Sequence, residues 1–414
     1  MKVLLAIESR FSRTPDGCIW SSDWVNYSFC RRYLDVFDEV RVLTRVRDVP
    51  SPLPAVLRAD GPGVTIVPLP YYHGPWQFAR RHRALRRCVH DAVLPPAAII
   101  LRVPGMIGTL VEKELHAAGR PFAVEVLGDP LEVFKPGGVP SRLRPFLRWW
   151  TPRALRRQCA RACASAYVTA RTLQQHYPPA AHVFSTICSG IDLGDEAFVN
   201  GPRPPKAGSE EWNVLLVGSL EQLYKGPDVL IEAAAICAAR GLQLRISIVG
   251  DGRYRAQLEE LAWARGVAGQ VRFLGKLSAG AAVRQELDAS DLFVLPSRTE
   301  GLPWALVEAM ARGLPCVGSK VGGIPELLSA DELVPPGDKS ALADKLHEVL
   351  TDPRRLARLS AENLDKARKF HFSVLQAQRG AFYRVIRDAT QAWQHGQGLA
   401  KALPLQGTAQ RSAH

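Results

Sequence analysis

The stretch that decides the fold is LPSRTEGLPWALVEAMARGLPCVGSKVGGIPELL, residues 295–328. An apolar strand over 292–295 leads into a polar loop, and Pro303 suits the first position of a helix that runs to Arg312 and stops at Gly313. A second apolar strand follows at 316–317. Strand, loop, helix and strand in this order predict the crossover unit of a doubly wound α/β domain.

The same alternation extends in both directions from this stretch. Further strands are predicted at 3–7, 39–43, 64–69, 98–101, 122–126, 212–217, 244–249 and 271–274. Helices are predicted between many of them, including 227–240, 254–265 and 281–288. Both halves of the chain are therefore expected to be α/β, with two parallel-sheet lobes facing each other across a cleft.

The domain boundary is expected in NGPRPPKAGSEE, residues 200–211, which is rich in Pro and Gly and has no apolar periodicity. It separates an N-terminal Rossmann-like domain, 1–200, from a C-terminal one, 201–370. A helix over 371–393 is expected to pack back on the N-terminal domain. Residues 394–414 lose all periodicity and are predicted to be a disordered tail.

Composition limits the class of protein and its partners. The 414 residues contain 53 Lys and Arg against 40 Asp and Glu, a formal charge of +13 of which +9 lies before residue 201. A 47% hydrophobic fraction excludes wholesale disorder and fibrous repeats. The basic excess suggests an acidic partner, for which nucleic acid, an anionic membrane surface and a phosphate-bearing small molecule are the candidates.

Targeting and redox signals favour the cytoplasm. The best apolar run, 97–111, is interrupted by Arg102 and Pro104, and the apolar part of MKVLLAIESR is too short for a signal peptide. Eight scattered cysteines without a C-x-x-C motif indicate neither zinc nor a disulfide framework.

Three loops at predicted strand ends carry the chemistry, because open parallel sheets bind ligands there. One holds Lys225 before a helix start, where it could meet a phosphate or be a solvated surface lysine. Another, Gly250-Asp251-Gly252, allows close backbone approach but is also a common turn. In the third, Glu300 precedes the helix and Glu308 lies about 8 Å further along it. The two carboxylates suit hydroxyls at different places on an elongated ligand.

These motifs carry a family resemblance. The E-x7-E element Glu300 to Glu308, with VGSL and YKGPDVLIEA, VGDG and VRFLGKLS upstream in order, resembles the retaining, nucleotide-sugar-dependent glycosyltransferases of the GT-B fold, glycosyltransferase family 4 or group 1. The match is specific over 212–328. It implies an N-terminal acceptor-binding domain and a C-terminal donor-binding domain. It also implies sugar transfer from a UDP- or GDP-sugar with retention at the anomeric carbon.

The resemblance also implies residue roles. Lys225 would pair with the donor diphosphate, Glu300 would face the donor sugar and Glu308 would bind the ribose. The remaining donor-binding candidates are Gly218, Ser219, Gly250 and the backbone N–H groups of Gly301 and Leu302. No metal or other cofactor is expected, and the chain contains no D-x-D motif.

The sequence departs from the family pattern in two places. Ser219 stands where the family usually has an arginine that assists the lysine, and Arg298 is the alternative second cation. Asp129 stands near the position of a family histidine at the reaction centre. There it could act in catalysis, by orienting an acceptor hydroxyl or by stabilising an oxocarbenium-like sugar, or it could simply form a turn. Gly17, in the loop after the first strand, is expected either to approach the diphosphate or to form a structural turn.

An arginine-rich stretch, 142–161, holds seven arginines and no acid, with aromatic residues interleaved. A second basic cluster, ARRHRALRR, spans 79–87. The residues expected to face an anionic membrane are Arg148, Trp149, Trp150, Arg153, Arg156 and Arg157. The alternatives are a solvated helix with its aromatic residues packed inward, and nucleic-acid binding.

The sequence therefore predicts a cytoplasmic glycosyltransferase, peripheral at the inner face of the plasma membrane. Its acceptor would be a lipid-linked or polysaccharide precursor of bacterial envelope or exopolysaccharide synthesis, and nucleic acid is not the expected partner. The alternatives are a catalytically inactive glycosyltransferase-like partner subunit and a basic nucleic-acid-binding protein.

Overall fold

The computed structural model describes residues 1–22, 24–52, 56–134, 143–191, 193–204, 206 and 211–396. They divide into two compact α/β units: 1–134, 143–188 and 376–396 in the first, and 189–375 in the second. The boundary at 188/189 lies ahead of the predicted residue 200, because the last strand of the first unit ends at Ile187. Part of the predicted 200–211 linker and most of the predicted 394–414 tail lie outside the described residues.

The first unit is built on a sheet whose parallel strands follow the order β5-β3-β1-β6-β7-β8-β9. The long first strand also pairs with β2 in an antiparallel hairpin, and β2 pairs with β4. The strands are β1 (Lys2–Arg13), β2 (Ile19–Ser21), β3 (Glu39–Asp48), β4 (Leu57–Arg58), β5 (Val64–Pro70), β6 (Ala98–Val103), β7 (Ala123–Val126), β8 (Ala164–Tyr167) and β9 (Phe184–Ile187).

Helices pack against this sheet, and its central strands β6 and β7 are buried along their whole length. They are α1 (Tyr27–Cys30), α2 (Gly74–Val93), α3 (Met106–Ala117), α4 (Pro130–Val133), α5 (Arg144–Arg161) and α6 (Thr172–His176). The final helix α14 (Phe372–Gln394) belongs to the first unit from Gln376 onward. Its residues Phe382, Tyr383 and Ile386 are buried in the same core as Val3 and Leu5.

The second unit has six parallel strands in the order β12-β11-β10-β13-β14-β15. They are β10 (Glu211–Val217), β11 (Gln243–Val249), β12 (Val271–Gly275), β13 (Leu292–Leu295), β14 (Cys316–Ser319) and β15 (Leu333–Val334). The helices are α7 (Pro227–Ala239), α8 (Arg255–Ala264), α9 (Ala281–Asp288), α10 (Trp304–Ala311), α11 (Ile324–Leu327), α12 (Lys339–Leu350) and α13 (Pro353–Arg368).

This strand order confirms the predicted doubly wound domain and locates its ligand-binding edge. Strand order reverses between the neighbours β10 and β13, and ligands of such sheets bind beyond the carboxyl ends of the strands at this switch point. The loops that leave these two strands contain Lys225 and Glu300. Among the described residues, no helix is both long enough and apolar enough to span a bilayer.

Candidate functional site

Three loops are joined by backbone hydrogen bonds at the carboxyl edge of the second sheet. The N–H of Gly218, after β10, donates to the carbonyl of Val249 at 2.9 Å. In the loop after β13, the N–H of Arg298 donates to the carbonyl of Tyr224 at 2.7 Å. The loops after β10, β11 and β13 therefore form one continuous surface.

Two glycines make this close packing of loops possible. Gly250 has φ +139°, and a Cβ atom there would lie 1.8 Å from the carbonyl oxygen of Gly218. Gly226 has φ +71°, and its Cβ would lie 2.1 Å from the carbonyl oxygen of Pro296. Both distances are far below van der Waals contact, and both φ values are rarely adopted by residues with a side chain.

Lys225 and Glu300 meet at this surface. The Nζ atom of Lys225 lies 2.6 Å from Oε1 of Glu300, and the side chains are only 13% and 6% exposed. The hydroxyl of Ser297 donates to the same carboxylate oxygen at 2.7 Å. The ring centroid of Tyr224 lies 5.3 Å from the ammonium group. Lys225 is thus a largely buried, paired cation and not a solvated surface lysine.

Arg298 does not act as a second free cation, because it is paired with Asp228. Its guanidinium donates to both carboxylate oxygens of Asp228, at 2.8 and 2.6 Å, and to the carbonyl of Leu223 at 2.8 Å. The hydrogen bond to Asp228 raises the pKa of Arg298. Its charge is therefore already matched, and Arg298 braces the Lys225 loop against α7. Ser219, where an arginine was expected from the resemblance, is exposed and accepts a hydrogen bond from the N–H of Glu221 at 3.2 Å.

Glu308 lies on the second turn of α10, and its carboxylate has no hydrogen-bond partner among the described residues. Burial raises its pKa to about 6, and the positive charge of Arg284 on α9 opposes part of that effect. A largely buried carboxylate that lacks donors of its own is chemically suited to accept hydrogen bonds from ligand hydroxyls.

The start of α10 offers backbone donors beside Glu300. The helix begins at Trp304, one residue later than predicted, because Pro303 keeps an extended ψ of 108° and serves as the N-cap. The N–H groups of Gly301 and Leu302 have no acceptor in the part of the chain that the structure describes. Free N–H groups at a helix start favour a negatively charged ligand group.

Asp129, in the first unit, is a capping residue, and both of its carboxylate oxygens have partners. Its side chain is buried and accepts from the N–H of Leu131 at the start of α4 at 2.8 Å, and also from the hydroxyl of Tyr177. Nδ1 of His176 lies 2.8 Å from its other oxygen. The expected contact of Asp129 with an acceptor hydroxyl would use the remaining acceptor capacity of that oxygen, and it stays a prediction.

His176 is the residue that sequence reasoning missed. It ends α6, its side chain is 45% exposed, and Asp129 holds one ring nitrogen. The pairing links positions 47 residues apart, and no motif marks it. If the sequence had predicted a strand at β8, the segment after that strand, which contains His176, would have been a candidate part of the site.

Gly17 lies in the loop between β1 and β2. The first strand continues to Arg13, and Gly17, with φ +82°, closes a turn into β2 by donating its N–H to the carbonyl of Thr14 at 2.9 Å. A Cβ atom at this position would meet nothing within 4 Å. The structure therefore shows the turn, and the approach of Gly17 to a diphosphate stays a prediction.

The arginine-rich helix α5 presents only part of the expected surface. Arg157 and Arg161 each lie 2.9 Å from the buried carboxylate of Glu112 on α3, so Arg157 was wrongly placed on a free outer face. Trp150 is half-buried and stacks on Phe146, and the exposed Arg156 donates to the carbonyl of His176. Of the six expected residues, Arg148, Trp149, Arg153 and Arg156 are exposed.

No group of three or more His, Cys, Asp or Glu side chains suited to a metal ion occurs among the described residues. The predicted absence of a metal requirement stays a prediction.

Residues 202–366 match the family described as glycosyl transferases group 1. Protein CapJ of Staphylococcus aureus is 23% identical over 364 residues, covering 83% of this chain and 88% of CapJ. The putative colanic acid biosynthesis glycosyltransferase WcaL of Escherichia coli K12 is 38% identical over 154 residues, 35% of this chain and 37% of WcaL. The chain thus spans little more than a third of that second relative.

Solved structures agree over nearly the whole chain. Sucrose-phosphate synthase from Thermosynechococcus elongatus superposes with a TM-score of 0.69 at 16% identity, covering 94% of this chain and all of that one. Anabaena HepE, in complex with UDP and glucose, gives 0.63 at 17% identity, covering 92% and 98%. At these identities the likeness shows the fold, which is GT-B as predicted. Within this fold, residues 202–366 are the part of the chain that matches the group 1 glycosyltransferases.

Proposed function

We propose that this protein transfers a sugar from a UDP- or GDP-sugar to an acceptor hydroxyl, with retention at the anomeric carbon. The observation that carries the proposal is the Lys225 to Glu300 pair at the switch point of the second sheet. Beside it lie the unpartnered N–H groups of Gly301 and Leu302 and the buried carboxylate of Glu308. Cationic, N–H donor and carboxylate groups in this order suit the diphosphate, sugar and ribose of one elongated donor.

The chemistry follows from where charge develops. As the glycosidic bond breaks, the nucleoside diphosphate gains negative charge, and Lys225 with the N–H groups would stabilise that charge more strongly in the transition state. When a diphosphate takes the ammonium group as its partner, Glu300 is released to accept hydrogen bonds from the donor sugar. Glu308 would then accept from the ribose hydroxyls.

The related structures support the donor class. HepE was solved with UDP, with UDP and glucose, and with UDP-glucose. The choice between uracil and guanine is left open in this proposal. Because Lys225 and helix-start N–H groups provide positive charge at the diphosphate, we propose that the reaction is independent of metal ions.

For the acceptor, we propose a lipid-linked or polysaccharide precursor, handled at the inner face of the bacterial plasma membrane. WcaL is described as a colanic acid biosynthesis glycosyltransferase, which supports a polysaccharide pathway. The outward Arg148, Trp149 and Arg153 on α5 support contact with anionic headgroups.

Ser219 favours one alternative. Without the second cation of the family pattern, this chain could serve as an inactive partner subunit that still binds a nucleotide-sugar.

The test is the release of nucleoside diphosphate from UDP-glucose, UDP-galactose and GDP-mannose by the purified full chain, with and without EDTA. We expect slow release that EDTA leaves unchanged, and loss of at least a hundredfold in Lys225→Ala and Glu300→Ala. Lys339→Ala, which removes an exposed lysine paired with Glu232, is the matched control and should retain activity.

Three other outcomes would overturn parts of the proposal. Inactivity with every donor, together with tight oligonucleotide binding, would reject the glycosyltransferase. Donor binding without turnover would favour the inactive subunit, and EDTA-sensitive release would reject metal independence.

A further inference from the structure

We propose that α2 and α5 together form a surface that binds anionic lipid bilayers, with an aromatic tip on each helix and rows of arginine behind the tips. This rests on the proposed function, in which the acceptor lies at the membrane. It adds to α5 a second helix, the one formed by the basic cluster at 79–87.

The outer face of α2 is a single stripe of one aromatic residue and three arginines. Trp76, Arg80, Arg83 and Arg87 follow one another at helical spacings of four, three and four residues, and all are exposed. Trp76 is 77% exposed. None of the three arginines has an acidic partner within the described residues, so their charges face solvent.

The outer face of α5 combines the same two kinds of residue. Phe146 and Trp149, in its first two turns, are each 54% exposed. Arg153 follows one turn later, with its guanidinium 4.7 Å from the Trp149 ring centroid. In both helices exposed aromatic residues lie near the start and exposed arginines lie beside or after them.

The two tips project in the same direction. Helices α2, α3 and α5 each precede a strand of the parallel part of the sheet, so all three run against the strands and start near their carboxyl ends. Arg86 of α2 contacts Glu114 of α3, and Gln158 of α5 contacts Thr109 of α3.

These contacts fix how far each helix extends beyond α3. Counted back from these contacts, α2 begins about four residues, or roughly 6 Å, beyond the start of α3. In the same way, α5 begins about eleven residues, or roughly 16 Å, beyond the start of α3. The exposed aromatic residues of both helices therefore stand beyond the start of α3, on its two sides.

This arrangement suits a bilayer better than a nucleic acid. Indole and phenyl rings favour the depth of the headgroups, and arginines behind them reach lipid phosphates. A single strand would need stacking rings that follow one another along a groove. Here the rings belong to two helices separated by a third.

The experiment measures binding of the full chain to extruded vesicles. The probes are pure phosphatidylcholine and phosphatidylcholine with about 30% phosphatidylglycerol, at low and high salt. The α2 variants are Trp76→Ala and the triple variant Arg80→Ala, Arg83→Ala, Arg87→Ala. The α5 variants are Trp149→Ala and the double variant Arg148→Ala, Arg153→Ala.

The second unit provides matched controls. Trp263 on α8 is 78% exposed, so Trp263→Ala controls for loss of an exposed indole. The triple variant Arg272→Ala, Arg354→Ala, Arg368→Ala removes the same charge from exposed positions.

We expect salt-sensitive binding to the anionic vesicles only, weakened about fivefold for each arginine removed from either helix and unchanged in the controls. Each variant should melt like the wild type. If the α2 variants bind like the wild type while the α5 variants weaken, the two-helix surface is rejected and the membrane part of the proposed function survives. If the wild type binds no vesicle but binds a labelled oligonucleotide through these arginines, both are rejected.

Discussion

Nζ of Lys225 lies 2.6 Å from Oε1 of Glu300, and both side chains are largely buried beneath the loops of the second sheet. Each charge is therefore the counter-ion of the other, in a place where water cannot replace a missing partner. A diphosphate that takes up Lys225 has to compete with this carboxylate, so the pair links protein stability to ligand binding.

Lys225→Met should lower the free energy of unfolding by about 2–4 kcal/mol, because Glu300 would be left buried without a counter-ion. The double variant Lys225→Met, Glu300→Gln should recover most of that loss. Urea denaturation measures both. Lys339→Met, which breaks the exposed pair with Glu232, should cost no more than about 1 kcal/mol. Equal losses at the two lysines would show that the buried pair carries no special energy.

Glu308 should make stability depend on pH. Burial raises its pKa from 4.5 to about 6, so the folded state binds a proton more tightly than the unfolded chain. Its stabilising contribution is complete below pH 4.5 and is lost as the pH rises through 6, by about 2 kcal/mol in total. Glu308→Gln should remove this slope.

The control for Glu308→Gln is the variant Glu362→Gln, which neutralises a surface carboxylate paired with Arg358. Urea denaturation series between pH 4 and 8 should show the slope intact in that variant. A slope that persists in Glu308→Gln would contradict the assignment. Arg284→Ala should raise the pKa of Glu308 further, since it removes the opposing charge.

Gly226→Ala should destabilise the protein strongly, because its Cβ would lie 2.1 Å from the carbonyl oxygen of Pro296 in addition to the cost of a positive φ. Gly241 has a similar φ of +84° but nothing within 4 Å of its Cβ, so Gly241→Ala isolates the conformational cost of about 1 kcal/mol. Thermal melts compare the two variants. If both variants lost a similar amount of stability, the loop after β13 would have to move away from residue 226 at little energetic cost.

The second unit was predictable because each of its early strands is an apolar, β-rich run bounded by turn residues, as in β10 and β11. Lys225 and Glu300 stood out because they follow two such strands. Their direct contact was not foreseen, since it depends on the loops folding over one another through Gly226.

The first unit was harder to predict from the sequence, for physical reasons. Strand β8 reads ASAY and lacks the β-branched residues that mark a strand, so α6 and His176 had no place in the predicted order. Strand β1 runs on to Arg13, well beyond the apolar run 3–7 from which it was predicted. The ion pair of Arg157 with Glu112 joins residues 45 positions apart, which no local pattern reveals.

Asp129 gives a last test, which separates a catalytic carboxylate from a capping one. Asp129→Ala should lower the free energy of unfolding by about 2–4 kcal/mol, because it removes the cap of α4 and leaves the buried hydroxyl of Tyr177 without its acceptor. Asp129→Asn keeps one acceptor oxygen and should lose less. Asp338→Ala, which removes a single exposed capping bond to Ala341, should cost about 1 kcal/mol.

Activity measurements on the folded Asp129→Asn protein then decide the role. Since Leu131, Tyr177 and His176 occupy the carboxylate, we expect nucleoside diphosphate release to fall only as far as the folded fraction falls. A stable Asp129→Asn protein that has lost turnover would instead show that the carboxylate takes part in the reaction. His176→Gln, which removes an outer partner at a half-exposed position, should then disturb turnover more than stability.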